Sequence, residues 1–340
     1  MIRQSLRRLS RMPMRRLTSG GAILAFHSIT TRELPAEGTA HVSLESFESM
    51  IGVARRLGEL VSLGELVRRH EARRSTAGLI ALTFDDAYAA LAGDFKDFVS
   101  REAVPITIFV VTRAAATGAT YWWDRVDDAF SRVTPERWRA FETACGLPDD
   151  YRRGQPRHHG PLRPLRQWLL AAYAGRWPRE LEPALQALEG DAGFRTPHRS
   201  MTFAELAQLA AMPSVEVGVH TVSHPVLPLL SDDDLGREIA GAYADLRERL
   251  AAVLPILALP FGLFDERTLR AARAAGMTAS LSVAGANLDG ERQVALPRYC
   301  VSRSDTPAKL GLRLLGLPAL VRRGARRPLL PYPDLPSPTS

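Results

Sequence analysis

The sequence predicts an α/β protein whose parallel strands are joined by crossover helices. Three observations carry this: short apolar runs alternate with longer stretches of helical periodicity, most of the runs are apolar throughout, and capping residues punctuate the helical stretches. A strand covered by helices on both faces has no wet side, so it lacks the polar alternation of a half-exposed strand. In chain order the candidate strands are Ala22 to Phe26, Leu79 to Phe84, Ile106 to Val111, Val215 to Val219, Ile256 to Leu259 and Ala279 to Val283.

Helical periodicity runs over Phe47 to Leu57, over Leu235 to Leu250 behind the start signal Ser231-Asp232-Asp233-Asp234, and over Arg267 to Ala275, where Gly276 stops it. Between Tyr121 and Arg199 the rhythm is lost, with helical stretches near Pro135 to Ala144 and Leu165 to Ala174. That segment reads as a helical insertion over one rim of the strands. From Pro328 onward, repeated prolines remove the donors that helix and sheet need, which predicts a disordered tail. The chain therefore divides into a basic N-terminal arm (residues 1–20), an α/β body (21–310) carrying the insertion at about 121–199, and a basic, Pro-rich C-terminal tail (311–340).

With 340 residues, 46% of them apolar, the chain is long enough to bury a full core, which excludes disorder throughout. Its formal charge of +7 comes from the ends, where Arg7, Arg8, Arg11, Arg15 and Arg16 form one cluster and Arg322, Arg323, Arg326 and Arg327 another. The first cluster lacks a regular apolar face and the second is broken by Gly324 and Pro328, so solvated tails without a nucleic-acid partner are expected, with peripheral contact to an anionic membrane surface left open. Cys145 and Cys300 give no disulfide framework and no Cys-x-x-Cys knuckle, which points to a reduced compartment.

Leu17-Thr18-Ser19-Gly20-Gly21 stands where a signal peptide would need its apolar region. The longest uncharged stretch, Leu250 to Phe264, has 15 residues and two prolines, short of a membrane span. The expectation is a soluble, cytoplasmic protein, at most peripheral to the inner membrane.

Four groups that could do chemistry end apolar strands. Asp85 and Asp86 follow Leu79 to Phe84, at the end of a parallel strand where a closed barrel carries its catalytic face; alone, such a pair is ordinarily a solvated turn. His220 and His224 follow Val215 to Val219, and a spacing of four can bring two imidazoles to one metal ion; the alternative is one core and one surface histidine. Two imidazoles and one carboxylate, with positions left for water, form a recognised catalytic metal arrangement. In Leu259-Pro260-Phe261-Gly262, the proline and glycine can fix a sharp turn that holds the Phe261 amide toward a cleft, where a rigid donor suits an oxyanion. His27 ends the first strand, and since the other groups also end strands, it is expected to face the same cleft.

Taken in order, Thr83-Phe84-Asp85-Asp86, His220-Thr221-Val222-Ser223-His224 and Leu259-Pro260-Phe261-Gly262 resemble the first three motifs of the polysaccharide deacetylase family, the NodB-homology or carbohydrate esterase family 4 enzymes. The resemblance runs from about Ala22 to Ser302, without the insertion. It implies a distorted (β/α)7-type barrel, with Asp85 as catalytic base and Asp86, His220 and His224 as ligands of a divalent metal ion. Zinc is the first choice, with cobalt, nickel or iron as alternatives. It also implies a Phe261 backbone donor to the oxyanion. The reaction implied removes an N-acetyl group from an amino sugar in a polysaccharide, oligosaccharide or glycolipid.

The chain departs from the pattern in places. Ala87 stands where glycine commonly follows the aspartates, and Ala258 where many members place an arginine; no Asp-x-x-Asp-Trp motif is visible, and His224 is the last histidine, so no C-terminal Leu-x-His motif exists. A circularly permuted branch, which includes exported poly-N-acetylglucosamine deacetylases, supplies the acid from an N-terminal strand, and Phe26-His27 is similar to its motif. His27 then becomes the proton donor. Arg298, in Leu296-Pro297-Arg298-Tyr299, either replaces the missing charge that tunes the aspartate or makes a rim salt bridge.

His158-His159, among several arginines, reads as a solvated basic loop, and Tyr121-Trp122-Trp123-Asp124 as either a sugar platform or an anchor for the insertion. Two other functions stay in view: a deformylase or amidase acting on a lipid-linked sugar, and a non-catalytic carbohydrate-binding barrel, suggested by Ala87, Ala258 and the missing motifs.

Overall fold

A computed structural model of the chain describes residues 20–31, 40–130, 132–148, 162–190, 198–288 and 293–317. Both arginine clusters, the proline-rich end and His158-His159 lie outside these residues. The strands are β1 (Ala22–Phe26), β2 (Ser28–Thr30), β3 (His41–Ser43), β4 (Glu59–Val61), β5 (Leu79–Phe84), β6 (Ile106–Val110), β7 (Val215–Val219), β8 (Ile256–Ala258), β9 (Ala279–Leu281) and β10 (Tyr299–Cys300). The helices are α1 (Leu44–Leu57), α2 (Leu63–Glu71), α3 (Asp94–Glu102), α4 (Thr112–Thr117), α5 (Trp122–Phe130), α6 (Pro135–Ala144), α7 (Leu162–Ala172), α8 (Glu182–Glu189), α9 (Phe203–Ala210), α10 (Asp232–Arg249), α11 (Glu266–Ala274) and α12 (Pro307–Leu314).

The main sheet is parallel and curled, in the order β10-β1-β5-β6-β7-β8-β9, with β4 beside the first half of β5. Its two ends are joined by one stretch of chain. Leu296 N donates to Ser280 O (2.8 Å) and Arg298 N to Ser282 O (3.1 Å), after which β10 pairs with β1. Residues 296–300 are therefore the seam of the curled sheet; the parallel strands and crossover helices are those the alternation predicts, and the barrel-like curl is what the resemblance implies.

Strand parity sorts the side chains into two cores. Ile23, Leu79, Ala81, Ile256, Ala258 and Leu281 pack inside the curl, where α2 plugs one end with Leu63, Leu66 and Val67. Leu24, Phe26, Ile80, Leu82, Phe84 and Leu257 face outward against the helices. Side chains alternate with period two along a strand, so the inner row continues from Ala81 through Thr83 to Asp85 and from Ile23 through Ala25 to His27. The same count on β7 runs Glu216, Gly218, His220. At the plugged end Glu216 accepts hydrogen bonds from Thr107 Oγ1 (3.0 Å) and Gly64 N (3.1 Å). Gly218 has no alternative, because a Cβ there would collide with the Phe109 ring inside the barrel.

The long elements lie where the pattern predicts them, with ends shifted by one to three residues. β6, β8 and β9 stop one or two residues short of the apolar run. The sequence reading missed β2, β3, β4 and β10, whose two or three residues each are too few to show a period, and the short helices α2, α3, α4 and α9. It also missed α12, which extends to Leu314 and buries Leu310 and Leu314 against α1, so ordered structure continues past residue 310. Helices α5 to α8 of the insertion build a small core of their own from Trp122, Val126, Trp138, Leu165, Leu169 and Leu185. Among the described residues no helix is long and apolar enough to cross a membrane.

After the insertion the chain returns through a capping box. Thr202 Oγ1 accepts from Glu205 N (3.3 Å) and Glu205 accepts from Thr202 N (2.8 Å), while Arg199 donates twice to the same carboxylate. The Arg199 hydrogen bonds hold Glu205 down, from 4.5 to about 2, against a smaller opposing effect of burial. A carboxylate lowered on folding stabilises the native state fully above its unfolded value and loses that contribution as pH falls through its folded one. Glu205→Gln is therefore expected to flatten the acid limb of thermal stability between pH 4.5 and about 2. Melting curves across that window check it, and an acid limb identical to that of the parent would refute it.

Candidate active site

The inner rows of β1, β5 and β7 deliver His27, Asp85 and His220 to one end of the barrel. Strand alternation alone would point Asp86 away from Asp85. The chain instead leaves the strand at once, with left-handed backbone at Asp86 (φ 66°) and Ala87 (φ 49°), and both carboxylates enter the cleft. This is the physical reason a glycine suits the position that Ala87 holds. Tyr121 Oη fixes the turn by donating to Asp86 O (2.7 Å).

The histidine loop is bent in the same way. Thr221 (φ 68°) and His224 (φ 58°) are left-handed, and His224 N donates to Thr221 Oγ1 (3.0 Å), which folds His224 back over His220. Glu238 of α10 is buried and accepts from Ser223 N (2.8 Å) and Ser223 Oγ (2.5 Å), and Arg176 of the insertion pairs with it at 2.8 Å. Strained backbone of this kind persists only where neighbours over-determine it, and here it gathers at the cleft.

Asp86, His220 and His224 are all buried, and each offers a ligand atom within 4.8 Å of the other two. Nε2 of each histidine lies 3.6 Å from Asp86 Oδ1, an oxygen with no hydrogen-bond partner. The His220 Nδ1 is 2.8 Å from Ala258 O, which can only accept, so the proton sits on Nδ1 and the Nε2 lone pair faces the carboxylate. Burial drives His220 down to about 4 and His224 well below its usual value. Burial also pushes Asp86 well above the ordinary carboxylate range, helped by the Asp85 and Asp124 charges. Unprotonated imidazoles converging on a carboxylate that lacks a counterion are a donor set that fits a divalent cation of the zinc class.

Asp85 is held differently. Burial would raise its pKa, but Arg298 overrides this, with help from His220, and keeps the carboxyl well below its usual range. Arg298 is completely buried and donates from Nη1 to Oδ1 (2.7 Å) and from Nη2 to Oδ2 (2.8 Å), a two-pronged pair; Nη1 also reaches Thr83 Oγ1 (3.2 Å). Its guanidinium lies over the Phe109 ring at 5.6 Å. It is an interior arginine at the barrel seam, so the rim salt bridge considered from sequence does not describe it.

His27 stands beside Asp85, since Asp85 N donates to Phe26 O (2.9 Å), and its side chain is partly exposed with a buried, unpartnered Nδ1. Burial lowers its pKa and the Asp85 charge opposes that shift. The Pro-Phe-Gly segment makes a sharp turn in which Phe261 (φ 57°) as well as Gly262 (φ 70°) is left-handed, and the Phe261 ring packs on His224 at 4.6 Å. The Trp123 ring lies 5.0 Å from His224 on its other contact, stacked on Tyr121 at 4.6 Å, whereas Trp122 is buried and donates to Gly175 O (3.0 Å). The Tyr-Trp-Trp run thus divides its work: Trp122 anchors the insertion and Trp123 walls the cleft. The positioning parts played by Tyr121, Trp123 and Glu238 were not read from the sequence; only the aromatic run gave a signal.

The structure thus gathers His27, Asp85, Asp86, His220, His224, Phe261 and Arg298 at one end of the barrel. A family model described as polysaccharide deacetylase matches residues 185–280, which include His220, His224 and Phe261. No curated protein sequence matches the chain. Among solved structures, a Streptococcus pyogenes deacetylase, PplD, in complex with acetate is similar over 87% of this chain and 99% of its own, with TM-score 0.56 and 14% identity. IcaB from Ammonifex degensii gives 0.56 and 15% over 87% of this chain and 97% of its own. A de-N-acetylase from Aggregatibacter actinomycetemcomitans gives 0.55 and 13% over 86% and 99%. At these identities the likeness is one of fold, a NodB-like α/β fold with a curled parallel sheet, and the polysaccharide deacetylase model matches the part of the chain that carries the two histidines and the Pro-Phe-Gly turn.

Proposed function

We propose that the protein is a metal-dependent hydrolase that removes the N-acetyl group from an amino sugar in a polysaccharide, oligosaccharide or glycolipid. The observation that carries this reading is the pairing, in one buried cleft, of an arginine-clamped carboxylate (Asp85) with an unclamped one that faces two imidazole nitrogens (Asp86, His220, His224). Two adjacent aspartates with opposite environments suit two different tasks.

A divalent cation bound by Asp86, His220 and His224 would supply Lewis acidity to the amide carbonyl and make water a better nucleophile at neutral pH. The chain's own groups do the rest. Asp85, ionised and fixed by Arg298, keeps a lone pair on each oxygen to accept the proton of the attacking water. A carboxyl held so low retains that proton only in passing. His27, whose burial leaves it neutral at rest, takes it up and delivers it to the departing amine, a step general acid catalysis makes worth roughly 10²–10⁴-fold. The Phe261 amide is the donor proposed for the developing oxyanion. Trp123 and Tyr121 offer an aromatic edge for a sugar ring.

The test is release of acetate and of formate from a panel of N-acylated glucosamine oligosaccharides and lipid-linked amino sugars, by chelated and metal-reloaded protein. Acetate release that returns on reloading supports the proposal. Formate release alone would favour the deformylase reading, and no release from any member the binding reading. In the same assay His27→Ala is expected to lower turnover about 10²–10⁴-fold with metal content intact. Unchanged turnover would remove His27 as the proton carrier.

A further inference from the structure

A second group of ligand-type side chains lies beside the cleft and takes no part in the proposed reaction. His41 opens β3, Asp124 lies in the first turn of α5, and His198 directly precedes the segment that bridges to Tyr88 and Thr120 through Ser200 and Arg199. Distant parts of the chain bring them together: His41 and Asp124 are 83 positions apart. Each offers a ligand atom within 4.8 Å of the other two, and their exposures are only 3%, 5% and 6%. The two imidazole rings are 4.4 Å apart and inclined at 63°.

The hydrogen bonding leaves a charge unanswered. Asp124 Oδ2 accepts from Tyr88 Oη (2.6 Å) and Oδ1 lies 3.1 Å from His41 Nε2, while among the described residues no lysine or arginine pairs with this carboxylate. An ionised carboxylate removed from water requires a compensating charge, not only dipoles. A divalent cation shared by the three residues supplies that charge. Two imidazoles with one carboxylate are a set for a divalent transition metal.

We infer that His41, Asp124 and His198 form a second divalent metal site, of zinc-class chemistry, which staples the start of β3 and the chain after the insertion to helix α5. The staple reaches the first site through hydrogen bonds. Trp123 Nε1 donates to Tyr88 Oη (3.1 Å), Tyr88 donates to Asp124, and the Trp123 ring covers His224. The second site thereby fixes one wall of the cleft.

Metal counting by mass spectrometry tests this on the full, tag-free chain, stripped by chelator, reloaded with zinc and desalted. The expected result is two zinc ions per chain, one in His224→Ala, one in Asp124→Asn or His41→Gln, and none when the His224 and Asp124 changes are combined. A single zinc in the parent that disappears in His224→Ala overturns the inference, and so does an undiminished count in Asp124→Asn. One zinc that survives His224→Ala and is lost in Asp124→Asn supports the second site and removes the first. If the variants at the second site fail to fold by circular dichroism, the count in His224→Ala decides alone.

Discussion

Arg298→Met is expected to destabilise the protein by about 3–5 kcal/mol, the cost of leaving a buried charge without its partner. The guanidinium is fully buried, donates to both oxygens of Asp85 and to Thr83, and rests over Phe109. Methionine fills most of that space but brings no charge, so Asp85 must take up a proton to remain buried. Removal of Arg298 lets burial prevail over the carboxyl's pKa and raise it. The variant then meets neutral solution with a protonated base, and turnover falls together with stability. Arg298→Lys cannot make the two-pronged contact and is expected to fall between the two. Urea unfolding of the three proteins, with acetate release from each, makes the comparison. A methionine variant within about 1 kcal/mol of the parent, the range of an exposed ion pair, would sink the account.

The neighbouring aspartates should respond in opposite ways to the same isosteric change. Asp85→Asn removes the proposed proton acceptor but leaves Asp86, His220 and His224 in place, so turnover is expected to drop at least about 10²–10⁴-fold with zinc at the first site unchanged. In Asp86→Asn the neutral amide is a far poorer ligand. The first site's affinity is expected to fall by more than the ~10–100-fold that loss of an outer-shell partner costs, with turnover following it. Excess zinc should rescue part of the activity of Asp86→Asn and none of Asp85→Asn. Isothermal titration and zinc-dependent kinetics separate the pair, and identical behaviour of the two variants would contradict the division of labour.

The barrel and most of its cleft were legible in the sequence because strands buried on both faces are apolar throughout and the cleft opens where they end. Unbroken apolar runs revealed the buried strands, and residues at run ends revealed the catalytic face, which is why Asp85, His220 and His27 could be placed together. The Asp-Asp and His-x-x-x-His spacings added the groups that leave the strand pattern. What stayed hidden depends on contacts between segments remote in sequence. Arg298 meets Asp85 across 213 positions, and nothing local to Pro297-Arg298-Tyr299 says whether its side chain turns inward or to the rim. His41, Asp124 and His198 come from three segments with no shared motif. The insertion resisted reading for another reason: its helices pack on one another, so its apolar residues serve a separate small core.

The seam at residues 296–300 also orders events in time. A ribosome makes Asp85 long before it makes Arg298, and for that whole interval the carboxylate has no internal counterion. It must stay hydrated, and the top of β5 cannot seal around it. Contacts of such long sequence separation form slowly, because the intervening loop has to close first. Docking of the last strand is therefore the moment at which the base acquires its charge partner. A chain that has not yet closed its ring at residues 296–300 leaves Asp85 without the Arg298 pair, so closure of the sheet and neutralisation of this carboxylate are one event.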